Sequence, residues 1–224
     1  VLSGCAITAA VVNSRWEQEM ALMSEATKNR LNVMQQQINE ALEDSGADAV
    51  PGLPEGAMTP AQVYDKCADA VISVNSTVQT VVNGQTQTAM YSGSGFIITA
   101  DGYIVTNYHI VENAKTVTIT LPNNAKYVAR VIGYEAANDI ALLKVQATDL
   151  PFVQLGSSSK LQVGDQVVAI GNPLGHLTST LTVGYISAKD RLISIDGTSI
   201  KMLQTDTAIN AGNSGGPLFN MYGQ

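Results

Sequence analysis

Apolar and polar positions follow two rhythms along this chain, one on each side of a Pro/Gly-rich stretch. In the first part, Trp16, Met20, Met23, Thr27, Leu31, Met34, Ile38 and Leu42 recur at three- and four-residue steps, and neither Gly nor Pro interrupts residues 14–44. That spacing predicts a helix. Its apolar stripe is narrow, so two readings stay open: a juxtamembrane coiled-coil or trimerisation stalk that buries the stripe against copies of itself, or a solvated spacer. Ser45-Gly46 ends the helical pattern, which gives a segment 14–46. Pro51, Pro54 and Pro60, with Gly52 and Gly56, then predict a linker over residues 47–65.

From Tyr64 onward the rhythm is that of β-strands, with short apolar runs broken by Gly, Asn and Asp. The first set is Ala70–Asn75, Tyr91–Thr99, Tyr103–Thr106, Thr116–Leu121, Tyr127–Tyr134 and Ile140–Val145. Turn signals stand at Asn83-Gly84, Asp101-Gly102 and Asn123-Asn124. After the turn-rich Leu155–Lys160 come Gln166–Gly171, Ser179–Ala188, Leu192–Ile195, Ser199–Thr205 and Pro217–Phe219. Six strands and then five predict an all-β protein of two antiparallel barrels, about 66–150 and 156–224, with the second incomplete and a helix in front.

Charge and cysteines narrow the function. The formal net charge is −7 and Lys/Arg form no cluster, so a nucleic-acid footprint is missing. Cys5 and Cys67 are the only cysteines and make neither a metal-ligand spacing nor a disulfide framework, which argues against a metal, a redox cofactor or a disulfide-stapled secreted protein. No cofactor is expected. Residues 1–13 begin with an uncharged, mostly apolar run. Three readings of it are open: the outer part of a membrane anchor, the remnant of a secretory signal, or a lipobox at Leu2-Ser3-Gly4-Cys5.

The candidate chemistry sits at Gly212-Asn213-Ser214-Gly215-Gly216, just before an apolar strand. Glycines around a serine admit a carbonyl carbon and expose backbone N–H groups. Ser214 is the expected nucleophile, and it needs a neighbouring base. The two histidines are His109, at a strand end, and His176, in a loop where a surface role is expected. His109 is therefore the expected base. Asp139, at the start of an apolar strand, would accept the other ring N–H and fix the tautomer. Backbone N–H groups of Gly212 and Ser214 would form the oxyanion hole, with Asn213 setting the turn between them.

Four blocks, Thr106–Val111, Asn138–Lys144, Ala169–Gly175 and Gln204–Leu218, closely resemble the signature blocks of HtrA/Deg serine proteases, and Ser92–Ile98 is similar to an early strand of that family. The resemblance covers about residues 66–220. It implies a chymotrypsin-like double six-stranded β-barrel, ATP-independent endoproteolysis of unfolded or damaged polypeptides of the bacterial, extracytoplasmic cell envelope, and a homotrimer; a membrane anchor is expected from the apolar run in residues 1–13. It assigns His109, Asp139 and Ser214 to the triad, and Ala208, Ile209 and Asn210 to the substrate pocket. Ala208 stands where trypsin-like enzymes carry the Asp that selects a basic P1, and Ile209 favours a small aliphatic one. Ala211 and Thr207 are mild departures, standing where the family often has Pro and Ala. Family members continue beyond the Gly-Gly-Pro-Leu strand into a pocket-lining strand, a helix and usually a PDZ domain. The second barrel is thus expected to be incomplete at Gln224, which puts the activity of this length of chain in question. Two alternatives remain beside the quality-control endopeptidase. One is a chaperone-like scaffold whose site is inactive or resting; the other is a processing protease with one dedicated substrate.

Overall fold

Alternating β-branched and polar residues organise the first unit of the structure, a computed structural model that describes residues 54–82, 85–172, 179–195, 198–210 and 212–224. Residues 1–13, the expected helix at 14–46, the Asn83-Gly84 turn, His176 and Ala211 lie outside the described residues. Strands β1 (Val71–Val82), β2 (Gln85–Ile97), β3 (Tyr103–Thr106), β4 (Thr116–Thr120), β5 (Lys126–Glu135) and β6 (Ile140–Lys144) close into a barrel in the order β1-β2-β3-β6-β5-β4. Every neighbouring pair is antiparallel. Ile72, Val74, Ile97, Ile104, Val117, Ile119, Ala141 and Leu143 fill its interior. In β4, for example, Val117 and Ile119 are buried while Thr116 faces solvent, the period-2 pattern of a half-buried strand.

The β1–β2 hairpin runs further than its apolar residues announce. Pairing continues from Val71↔Phe96 out to Val82↔Gln85. Its outer part is mostly polar and exposed on β2, so no hydrophobic alternation marks it. Thr77, Thr80, Thr86 and Thr88 instead supply β-branched residues that suit an extended backbone.

The second unit is a four-stranded sheet in the order β10-β7-β8-β9. It comprises β7 (Gln166–Gly171), β8 (Thr180–Ile195), β9 (Thr198–Thr205) and β10 (Leu218–Asn220). Here the expectation of five strands is corrected to four. The two segments Ser179–Ala188 and Leu192–Ile195 are parts of the single strand β8. Its pairing with β9 shifts register between Ile186 and Ala188 and again between Ala188 and Arg191, and Asp190 adopts φ 53°. Such irregularities bend a strand without ending it, so the polar Lys189-Asp190 looks like a turn from sequence alone. The chain thus holds one closed barrel and a half-barrel.

A helix also begins inside the stretch expected to be linker. Helix α1 (Pro60–Cys67) starts at a capping box: the Thr59 N–H donates to Gln62 Oε1 at 2.8 Å and the Gln62 N–H to Thr59 Oγ1 at 3.2 Å. Pro60 opens it, where a missing N–H costs nothing. Val63 and Cys67 turn inward. Burial pushes the Cys67 thiol up to about 11, with Lys66 pulling weakly the other way, so this sulfur stays a protonated, unreactive core group. Among the described residues no helix is long and apolar enough to cross a membrane.

The two β units meet closely at Gly215, whose φ is +83°. A Cβ there would collide with the Ser94 carbonyl oxygen and would lie 2.7 Å from Thr106 Oγ1 and 2.9 Å from Ile110 Cδ1. Gly133, by contrast, has open space where its Cβ would be. Gly215→Ala is therefore expected to destabilise the fold by about 2 kcal/mol or more, combining a left-handed backbone with a backbone clash. Gly133→Ala should change it by less than about 0.5 kcal/mol. Urea unfolding of both variants checks the contrast, and equal effects would mean that the contact at Gly215 is slack.

Candidate active site

The barrel order explains how two distant sequence blocks meet. Strands β3 and β6 are hydrogen-bonded neighbours, with Thr106 paired to Ala141. His109 follows the end of β3 and Asp139 precedes the start of β6, so antiparallel pairing sets them side by side. His109 rides on α2 (Tyr108–Val111), a single helical turn pinned by the buried Ile110 and Val111. The Ser76 hydroxyl donates a short hydrogen bond to the Ile110 carbonyl and ties that turn to β1. With its neighbours held in the core, the His109 side chain is left 56% exposed.

Asp139 takes a left-handed conformation, φ 53° and ψ 46°, at the end of a short 3-10 turn. Asp tolerates this region better than most residues. Two donors hold its carbonyl: the Tyr108 N–H at 3.1 Å and Asn107 Nδ2 at 2.8 Å. Its carboxylate faces His109 with both oxygens. Oδ1 accepts the His109 backbone N–H at 2.8 Å, and Oδ2 lies 2.6 Å from Nδ1. A carboxylate only accepts, so the proton on Nδ1 is shared with Asp139 and Nε2 is left as the basic nitrogen. The hydrogen bond to Asp139 raises the His109 pKa above 6.5; burial opposes it, and the charges of Asp139 and Glu112 add to the rise.

Ser214 sits in the tight loop before β10, pressed against the segment that carries His109. Its carbonyl accepts the Ser94 N–H at 2.8 Å. Among the described residues no hydrogen bond joins Ser214 to His109. The Ser214 hydroxyl instead donates to the Asn210 carbonyl at 3.3 Å. The Gly212 N–H donates to Asn210 Oδ1 at 3.0 Å. Asn213 faces inward and sets the turn: Oδ1 accepts the Asn210 N–H at 3.0 Å, and Nδ2 donates to the Ala208 carbonyl at 2.9 Å. The Gly216 N–H closes the loop on the Asn213 carbonyl at 2.9 Å. Of the expected pocket residues, Ala208 and Asn210 are exposed and Ile209 is half-buried. Ala208 is fixed further by Thr182 Oγ1, which donates to its carbonyl at 3.0 Å.

His109 and Asp139 are thus brought into direct contact, while Ser214 faces Asn210. Chemically, the arrangement offers an imidazole whose Nδ1 is held by a carboxylate, and a glycine-flanked serine whose hydroxyl and neighbouring Gly212 N–H are both engaged by Asn210. Reading the motifs alone misses Asn107, Ser94 and Thr106, which brace the loops from below. Asn107 is 1% exposed, and its Oδ1 has no hydrogen-bond partner. A polar residue buried at the end of an apolar strand is the signal that could have found them.

Comparison with known proteins places the sequence and the barrels in a family. The trypsin-like peptidase domain family matches residues 93–224. A probable periplasmic serine endoprotease DegP-like from Chlamydia trachomatis is 51% identical over 134 residues, covering 59% of this chain and 26% of that protein. One of the same name from Ectopseudomonas mendocina is 38% identical over 204 residues, covering 91% and 41%. The chain thus spans about a quarter to two-fifths of the length of such relatives. Among solved structures, the HtrA-type protease AlgW with decapeptide superposes with a TM-score of 0.64 at 31% identity, covering 74% of this chain and 57% of that one. Deg5 superposes with a TM-score of 0.61 at 32% identity, covering 73% and 79%. By sequence and by barrel architecture, the chain belongs to the trypsin-like peptidases, in their HtrA/DegP branch.

Proposed function

We propose that this protein is a serine endopeptidase of HtrA type, with His109, Asp139 and Ser214 as its triad. The observation that carries the reading is the two-point grip of Asp139 on His109, at 2.6 Å to Nδ1 and 2.8 Å from the backbone N–H. A carboxylate bound in this way fixes the ring so that Nε2 is the base. Ser214 Oγ would pass its proton to Nε2 as it attacks the scissile carbonyl carbon. The oxyanion would be received by the N–H groups of Gly212 and Ser214. His109 then returns the proton to the departing amine, leaving an acyl-enzyme. Water enters, His109 takes one of its protons, and the ester is hydrolysed.

The substrates in this reading are unfolded or damaged polypeptides of the cell envelope, in keeping with the periplasmic naming of the relatives. Ala208 and Ile209 supply an uncharged pocket for a small aliphatic P1. Such a pocket discriminates weakly, by roughly 1–3 kcal/mol per methylene, which suits broad cleavage. Trimeric assembly rests on the family resemblance, and membrane attachment on the uncharged, mostly apolar run within residues 1–13.

A second reading has its own observation. Ser214 and the Gly212 N–H are both engaged by Asn210, which is the arrangement of a resting site or of a scaffold that binds without cutting. Fluorophosphonate treatment of the full-length protein separates the two. Intact mass should show one adduct on the wild type and none on Ser214→Ala. A folded wild type that takes no adduct would favour the scaffold.

The raised His109 pKa sets the sign of the pH dependence. Catalysis needs neutral His109, so kcat/KM should fall as pH drops through a midpoint above 6.5. Glu112→Gln removes a charge that raises this pKa and should move the midpoint downward. A profile flat from pH 5 to 8 would remove His109 as the base. Asp139→Asn should keep the fold, since both residues accept the same backbone bonds, while lowering turnover by up to about 10⁴. Circular dichroism alongside peptide-ester turnover checks this, and a loss of fold at full specific activity would make Asp139 structural.

A further inference from the structure

Ser94 stands outside the residues assigned to the chemistry, yet its hydrogen bonds reach the Ser214 loop, the end of β7 and the strand that leads to His109. It is fully buried, at 0% exposure, near the end of β2 in the closed barrel. Its Oγ lies 2.7 Å from the Asn172 N–H, just past the end of β7. The same Oγ lies 2.9 Å from the Gly212 carbonyl. Its backbone N–H donates to the Ser214 carbonyl at 2.8 Å. Its own carbonyl accepts Thr106 Oγ1 at 2.7 Å, on the strand that leads to His109.

The direction of this relay is fixed by chemistry. A backbone N–H can only donate and a carbonyl can only accept. The single Ser94 hydroxyl proton therefore goes to Gly212, and its lone pair receives Asn172. The donor and one acceptor lone pair are both used, so this one side chain joins the end of β7 to the Ser214 loop from the closed barrel.

We propose that the Ser94 hydroxyl is a positioning residue for the oxyanion site, holding the Gly212 carbonyl inward so that the loop presents its N–H groups to substrate. A peptide unit is planar, so fixing a carbonyl fixes the N–H on the other side of the same bond. Ser94 Oγ anchors the unit between Gly212 and Asn213, whose N–H is that of Asn213, bound to the Asn210 carbonyl at 3.1 Å, so it acts on the oxyanion donors through the units on either side. The Gly216 N–H anchors the unit between Asn213 and Ser214, which carries the Ser214 N–H. The Ser94 N–H anchors the unit that follows. With three successive units held, the Gly212 N–H is the donor left to exchange Asn210 Oδ1 for an oxyanion. The inference rests on the endopeptidase reading and deepens it.

The test compares wild type, Ser94→Ala and Ser94→Cys, in the full-length protein, by phosphonylation rate with a fluorophosphonate, by peptide-ester kinetics and by thermal melting. Loss of one oxyanion donor typically costs 10²–10³ in turnover, so loss of a group that aims the donors should lower kcat by about 10–100-fold. The phosphonylation rate should fall in parallel, while KM stays within about two-fold and the pH midpoint set by His109 is unchanged. The Cys variant keeps the volume but hydrogen-bonds weakly, so it should show the same kcat loss with a melting temperature nearer to wild type. A variant with lowered melting temperature and normal kcat would overturn the proposal, making the hydroxyl a fastener only. Failure of both variants to fold would overturn it in the same way. Wild type that is not phosphonylated would sink the endopeptidase reading itself, whereas equal labelling of wild type and Ser94→Ala would sink this inference alone.

Discussion

Contact between the two β units is made by backbone against backbone, and the rest of the site depends on that closeness. Gly215 can lie on the Ser94 carbonyl only because it has no Cβ, and its φ of +83° is open to few other residues. Within the half-barrel Gly171 is equally crowded and brings the loop close to β7, since a Cβ there would lie 2.5 Å from the Gly212 carbonyl oxygen and from Asn213 Cα. Glycines around a reactive serine are usually credited with admitting the substrate. In this chain they also admit the neighbouring barrel. The gain is that short, buried hydrogen bonds can replace side-chain packing across the seam, and such bonds are directional in a way that apolar contacts are not.

That directionality matters because the groups of the site come from different units. His109 and Asp139 belong to the closed barrel, held by the β3–β6 pairing, and their mutual geometry needs nothing from the second unit. Ser214 belongs to the half-barrel's loop. Its placement relative to His109 is only as good as the seam. The Thr106–Ser94–Ser214 chain of hydrogen bonds runs from the strand leading to His109 directly to the Ser214 carbonyl. A loop that packed on side chains alone could drift by an ångström, and misplacement of that size costs about 10²-fold in a reaction that relies on alignment.

Much of this was legible in the residues, for stated reasons. Strands β3, β4, β6 and β7 were placed to within a residue or so, because each is a short apolar segment bounded by turn residues, alternating in β4 and β6 and buried almost throughout in β3 and β7. The outer β1–β2 hairpin and the continuous β8 were not. The first carries a mostly polar and exposed β2 segment with no alternation against a core, and the second bends at Lys189-Asp190 by register shifts that mimic a turn. Helix α1 was hidden by Pro60, read as a breaker although Thr59 and Gln62 make it a start signal. His109, Asp139 and Ser214 stood out by type and order. Their spatial relation did not, because β3 and β6 are neighbours only through a crossover that no local pattern encodes. Asn107 and Ser94 escaped for a related reason: a buried polar residue announces that it has partners without saying where they are.

The engagement of Ser214 and Gly212 by Asn210 bears on how such a site could work. Each of these is a single hydrogen bond at 3.0–3.3 Å, one of them from a hydroxyl that rotates about one torsion. The net contribution of a bond of this kind is about 0.5–1.5 kcal/mol. An oxyanion bound by two N–H groups gains more, on the order of 2.7–4 kcal/mol for each donor. On the proposed endopeptidase reading, a substrate carbonyl on its way to the tetrahedral intermediate would outcompete Asn210, provided that the loop frame stays fixed while the partners exchange. If the frame moved as well, the cost would include reordering several peptide units, each worth about 1–2 kcal/mol of backbone entropy, and the balance would reverse. The buried bonds beneath the loop decide between these cases, so the distinction between a resting and a working site lies less in Asn210 than in the anchoring of the carbonyls behind it.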